Sequence, residues 1–234
     1  MRETEETIET ALFDVDGTLV ASNDAHARAW FDALAEGGYD VAFERLRPLI
    51  GLGSDKLLPA LELGLTSDAE PGASITSRRK AIFLERYVGG IAALPGAREL
   101  VERVASRGVR CVVASSATPD ELGRLLEIAG ASDAFAHAMK PDDVEGSKPD
   151  PDIVVAALAW SGTPPERAVM IGDTRFDMEA AARAGVAAIG LRSGGSGDAD
   201  LAAAAAIFDT PADLARALAA TSLGAIVRGE RTRA

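Results

Sequence analysis

Four short runs along the chain are apolar almost throughout: TALFDV from Thr10, VRCVVAS from Val109, AVMIGD from Ala168 and VAAIGL from Val186. Runs of this length without polar alternation suit strands buried on both faces, as happens when crossover helices cover both sides of a parallel sheet. Helix punctuation separates them. Thr118-Pro119-Asp120-Glu121 supplies an N-cap, a proline at the first helical position and a capping-box glutamate, and Gly130 suits the far end of the same helix. Asp150-Pro151 and Thr210-Pro211 open two further helices in this way, and the alanines at 202–206 read as a helix. The alternation from about residue 96 predicts an α/β fold with at least four parallel strands.

Residues 22–93 have a different texture. SNDAHARAWFDALAEGG starts with capping residues, ends in paired glycines, and leads into helical or loop-like segments without a strand pattern. The chain therefore divides into a core, residues 1–21 and 94–234, and a helical insertion, residues 22–93. Glycine pairs at 37 and 89 and the LPG at 94–96 supply turn and hinge material. GLRSGGSGDAD lacks both the Lys-Ser/Thr ending of a phosphate loop and the G-x-G-x-x-G spacing, so it reads as a flexible surface loop. The tail TSLGAIVRGERTRA reads as a frayed end.

A length of 234 residues accommodates one large domain or a core with an insertion. The 24 basic residues against 36 acidic ones give a net charge of −12, which disfavours nucleic acid and anionic membranes as partners. The start MRETEETIET is polar and acidic, and no apolar run is long enough to span a bilayer, so a cytoplasmic protein is expected. The single cysteine, Cys111, lies inside an apolar run and reads as a core residue.

Ligands of open parallel sheets bind outside the carboxyl ends of the strands, which directs attention to the polar residues placed there. One strand ends at Asp14, another at Ser115 and a third at Asp173, with Asp16 two residues beyond Asp14 and Asp177 four beyond Asp173. Each acid alone has an ordinary explanation as turn material or a helix cap. Together they would crowd up to four carboxylates into one crevice, where unit charges about 4 Å apart repel by about 4 kcal/mol at an effective dielectric near 20. A hard divalent cation relieves that repulsion, and an all-oxygen donor set suits Mg²⁺.

DVDGTLV, Ser115, GSKPDPD and GDTRFD resemble, in this order, the four motifs of the haloacid dehalogenase-like hydrolase superfamily. The insertion resembles the small helical cap of the branch that includes phosphoglycolate phosphatase and β-phosphoglucomutase. The resemblance implies a Rossmann-like doubly wound sheet and a nucleophilic Asp14 that takes up a phosphoryl group as an aspartyl-phosphate. It further implies Asp16 as general acid and base, with its backbone carbonyl on the metal. Ser115 and the Ser116 amide would hold phosphoryl oxygens, and Lys148 would neutralise charge on them. Asp14, Asp16 and Asp173 would bind Mg²⁺, with Asp177 acting through water or orienting its neighbours. His26, Lys56 and Arg79 are candidate phosphate or substrate ligands of the cap. Arg45, Arg47, Arg78 and Lys80 are the other basic groups available to the cap.

These features point to an Mg²⁺-dependent phosphatase of a small phosphorylated metabolite, a monomer or homodimer. A phosphosugar mutase shares the whole catalytic set. A phospho-accepting signalling module gathers similar residues but needs about half this length and no cap. A binding-only homologue is the remaining alternative.

Overall fold

The computed structural model describes residues 7–135 and 146–230. In chain order it contains β1 (Thr10–Phe13), α1 (Asn23–Glu36), α2 (Phe43–Leu46), α3 (Ser54–Ala60), α4 (Gly72–Ile82), α5 (Ala97–Ala105), β2 (Arg110–Val113), α6 (Pro119–Ala129) and α7 (Asp152–Ser161). There follow β3 (Ala168–Gly172), α8 (Arg175–Arg183), β4 (Ala187–Leu191), β5 (Ala206–Phe208), α9 (Pro211–Ala220) and α10 (Leu223–Val227). The five strands form one parallel sheet in the order β2-β1-β3-β4-β5. This is a doubly wound, Rossmann-like sheet.

Successive residues of a strand point to opposite faces, and the apolar runs supply a core on each side. Ala11, Phe13, Val113, Val169 and Ile171 pack in one cluster, with Leu100 of α5, Leu125 of α6 and Leu214 of α9. Leu12, Val112 and Met170 face the other cluster, with Val154 of α7 and Met178 of α8. All four β1 residues are buried. That is why the run carries no polar alternation.

The helical segment continues the first of these clusters: Trp30, Leu34, Leu57, Leu58, Ile82 and Phe83 are buried in it. It leaves and re-enters the sheet layer at one place, where the Ala21 amide donates to Ala92 O (3.0 Å) and the Leu94 amide to Leu19 O (2.9 Å).

Two expectations are corrected. The alanines at 202–206 form turns, and Ala206 already belongs to the fifth strand. The Ala205 amide donates to Ala188 O, so pairing with the neighbouring strand overrides the helix propensity of alanine. The tail forms α10, where Leu223 and Ile226 are buried; its last four residues lie outside the described ones. Among the described residues no helix is long and apolar enough to cross a membrane.

Candidate active site

Strand order reverses direction at β1 and β3, and crevices for ligands open at such points. Phe13 is in register with Ile171 and Val113, so the residues that follow emerge together at the carboxyl edge. The Asp14 amide donates to Ile171 O (2.9 Å) and the Ala114 amide to Phe13 O (2.7 Å). Backbone hydrogen bonds thus fix Asp14 and the start of the Ser115 loop to the sheet itself.

Asp14, Asp173 and Asp177 are all buried and offer carboxylate oxygens within 4.8 Å of one another. Lys148 is 2% exposed, and its Nζ donates to Asp14 Oδ1 (2.6 Å) and lies 2.6 Å from Asp177 Oδ1. With all three carboxylates ionised, one ammonium would leave a deficit of two positive charges, and the carboxyl groups respond by holding their protons more tightly. Burial pushes the Asp14 carboxyl up to about 8, with Asp177 and Asp16 adding to the shift and Lys148 opposing it. Asp173 is likewise raised well above the carboxylate range, by burial and by the charges of Asp14 and Asp177. The same neighbours hold the Lys148 ammonium charged in spite of its burial.

Asp177 shows how one residue serves both structure and site. Its Oδ2 accepts from the Thr174 amide (3.0 Å) and hydroxyl (2.6 Å), a capping box for α8. Its Oδ1 is buried, has the Lys148 ammonium beside it, and makes no hydrogen bond of good geometry. One oxygen therefore caps the helix while the other faces the Lys148 ammonium.

Asp173 is held by Asn23 and the Gly194 wall, outside the four motifs, and by Thr18 of the first. Asn23 Nδ2 donates to Asp173 Oδ2 (2.8 Å) and to Gly194 O (3.1 Å), while Thr18 Oγ1 donates to Asp173 Oδ1 (3.3 Å). A Cβ at Gly194 would lie 1.6 Å from Asp173 Oδ2, and one at Gly17 would lie 2.2 Å from it. The glycine-rich segment after β4 is thus a wall of the acidic cluster rather than a flexible surface loop. Ser193 Oγ closes the same wall by donating to Gly17 O (2.8 Å). These donor types, the uncompensated charge and the backbone cradle fit a hard divalent cation.

Asp16 is placed differently. Its Oδ1 receives the Ser22 hydroxyl and lies 2.8 Å from His26 Nε2. Burial would raise this carboxyl, but His26, Ser22 and Arg79 outweigh it and hold Asp16 below the ordinary range. The carboxylate stands apart from the three-aspartate cluster. Ser22 and Asn23, which read as helix-capping residues, cap nothing with their side chains; both reach into the site instead.

Behind Asp16 a polar chain crosses from the helical segment to the sheet layer. His26 stacks on Phe83 at 4.0 Å, and Arg79 Nη1 lies 3.4 Å from His26 Nδ1. The same Nη1 donates to Glu121 Oε1 (2.6 Å), and Glu121 is 1% exposed. Glu121 Oε2 meanwhile caps α6 by accepting from the Thr118 amide and hydroxyl. The capping-box pattern was legible in the sequence, but its second oxygen was not.

A cavity of about 280 Å³ opens over these groups, lined among others by Asp14, Asp16, His26, Arg79, Ser115, Ser116 and Lys148. Ser115 is buried and its Oγ accepts from the Ala117 amide (3.2 Å), which fixes the loop between β2 and α6. Lys80 also lines the cavity. Lys56 does not: its ammonium is bonded to Asp150. Nor do Arg45 and Arg47, which donate to Leu61 O and to Asp24 and Gly194 O.

Comparison with known proteins agrees with this arrangement. The model of the haloacid dehalogenase-like hydrolases matches residues 8–185. A phosphoglycolate phosphatase of Rhodospirillum rubrum is 33% identical over 87% of the chain and 88% of its own length. The crystal structure of CbbY from Rhodobacter sphaeroides in complex with phosphate superposes with a TM-score of 0.74 at 29% identity, covering 89% of this chain and 96% of that one. The chloroplastic protein SUPPRESSOR OF QUENCHING 1 of Arabidopsis thaliana is 32% identical over 80% of the chain, which spans only 18% of that longer protein. With its family model matched across both strand-end aspartates and the lysine between them, the chain belongs to the haloacid dehalogenase-like hydrolases.

Proposed function

We propose that the protein is an Mg²⁺-dependent phosphatase that hydrolyses a small phosphomonoester through an aspartyl-phosphate on Asp14. The observation that carries this reading is a buried carboxylate at a strand end, paired with a buried ammonium at 2.6 Å and open to a cavity. A carboxylate needs no base to become a nucleophile; it needs an electrophile in line and neutralised charge on the transferring oxygens. Lys148 supplies part of that neutralisation and Ser115, with the Ser116 amide, the rest. Mg²⁺, held by Asp14 and Asp173 with the Asp16 carbonyl and with Asp177 orienting the set, would screen the phosphoryl charge against the nucleophile.

Asp14 displaces the alcohol, which leaves with the proton of Asp16, taken up from solvent as the substrate's negative charge enters; Asp16 is left ionised. Water then attacks the phosphorus of the acyl phosphate while Asp16 accepts its proton, and Asp14 and inorganic phosphate are released. The hydrogen bonds from Ser22 and His26 hold Asp16 ionised, the state its second task requires.

A cavity of about 280 Å³ suits a small metabolite. Arg79 Nε is buried without a hydrogen-bond partner, and Lys80 lines the cavity beside it, an arrangement that suits a second anionic group on the substrate. A phosphoglycolate-like ester or a sugar phosphate has this character, and the relative named phosphoglycolate phosphatase supports the first. Residues 22–93 act on this reading as a cap that closes over the site and excludes water. The test is phosphate release from a panel of phosphorylated metabolites with Mg²⁺. Turnover of small phosphomonoesters that stops in Asp14→Asn supports the proposal. Isomerised sugar phosphate without net phosphate release would contradict it in favour of a mutase.

A further inference from the structure

The loop carrying Lys148 is gripped on both sides by the tip of the helical segment. Asp55 Oδ1 accepts from the Ser147 hydroxyl (2.6 Å), and the next residue, Lys56, bonds Asp150 Oδ2. Ser147 and Asp150 bracket Lys148 in sequence, and the Asp150 amide donates to Ser147 O, which closes the bracket as one turn. The fit extends to the backbone. A Cβ at Gly53 would lie 2.4 Å from the Ser147 Cβ, although Gly53 itself has an ordinary φ of −70°. Arg183 steadies the outer oxygen of Asp150 (3.2 Å).

From this juxtaposition we infer that Asp55 and Lys56 are positioning residues. By clasping Ser147 and Asp150, the closing segment sets Lys148 against Asp14. The inference rests on the phosphatase reading above and gives Lys56 a task other than holding substrate. Asp150 and Lys56 are partly solvent-exposed. In such a setting an ion pair contributes little to stability, yet it biases an equilibrium between open and closed positions that itself differs by little. A clasp of this kind acts when the cap is down, so its loss lowers the rate of the chemical step more than it weakens substrate binding.

The experiment compares wild type, Lys56→Ala, Asp150→Ala and Lys56→Arg, by steady-state kinetics with Mg²⁺ and by hydrogen exchange of the peptide over 146–155 without substrate. Exchanging the two charges would set a lysine at 150 against Arg183, so the conservative variant serves as the rescue. Each alanine variant is expected to lower kcat by about 2- to 5-fold with KM nearly unchanged, and Lys56→Arg to retain most of it. The amides of the loop exchange faster in the alanine variants and keep their protection in Lys56→Arg. Gly53→Ala, free of any backbone penalty, is expected to act in the same direction through steric displacement alone. A rise in KM with kcat unchanged in Lys56→Ala would overturn the inference and return Lys56 to the substrate site. Unchanged loop exchange in Lys56→Ala, or faster exchange with unchanged kcat, would also overturn it. A wild type that turns over no phosphomonoester would instead sink the phosphatase reading, whatever the exchange data show.

Discussion

The acidic centre and the segment that covers it hold their charges by different means. At the sheet edge, Asp14, Asp173, Asp177 and Lys148 are all at most 7% exposed and are placed by strand register, a capping box and a glycine wall. In the helical segment, Arg47, Lys56, Arg78 and Arg86 are partly exposed and are placed by ion pairs with flexible carboxylates. Buried charges without partners cost several kcal/mol, so the centre can adopt few arrangements, whereas exposed pairs are worth a few tenths to about 1 kcal/mol and can be exchanged. On the phosphatase reading, the rigid part would hold the chemistry and the adaptable part would meet the substrate.

Substitutions can break this contrast, beginning with the largest effect. Asp14→Asn should lower phosphate release by at least about 10³-fold with the fold intact, because an amide cannot replace the carboxylate nucleophile. Glu121→Ala probes a buried ion pair between the two regions. It strands Arg79 and uncaps α6, and should lower stability in urea unfolding by about 3 kcal/mol, as in a core pair rather than a surface one. A loss below about 1 kcal/mol would place the link with the exposed clasps.

Gly194→Ala pushes a methyl group into Asp173 Oδ2 and should weaken Mg²⁺ binding about 100-fold in calorimetry, and it should also lower the melting temperature of the metal-free protein. A smaller effect is expected from pH. Because Asp14 is raised to about 8 in the folded protein, the native state keeps a proton that the unfolded chain releases near pH 4. Its contribution to metal-free stability therefore falls as pH rises between those values. Thermal melts with chelator should show a decline over this window that Mg²⁺ removes and that Asp14→Asn reduces, with Asp173 supplying the remainder. Asp16 works in the opposite sense: its lowered value adds stability that is lost only on acidification below the ordinary carboxylate range.

The strand-end residues were legible because they depend on short-range rules. An apolar run fixes a strand, and the residue after it must lie at the carboxyl edge. The fifth strand escaped because its three residues, Ala206–Phe208, are only half-buried at the sheet edge and follow an alanine run whose local preference is helical. Asn23, Glu121 and Gly194 escaped for another reason. Asn23 meets Asp173 across 150 positions of sequence, and Glu121 meets Arg79 across 42. Their patterns announced only the local task, capping or turning. The glycine-rich run after β4 did lie at the same sheet edge as the acids, which was the available sign that it faces the site. In the helical segment no spacing rule tells a lysine that clasps a loop from one that meets a substrate, and Lys56 illustrates this.

The central claim is that Asp14 carries the phosphoryl group. The direct measurement mixes the protein with Mg²⁺ and a radiolabelled phosphomonoester, quenches with acid within the first turnover, and maps the label by peptide. The account predicts acid-stable label on the peptide containing Asp14, chased by unlabelled substrate and absent from Asp14→Asn. Full turnover with no label on that peptide, or with label on another residue, would contradict it.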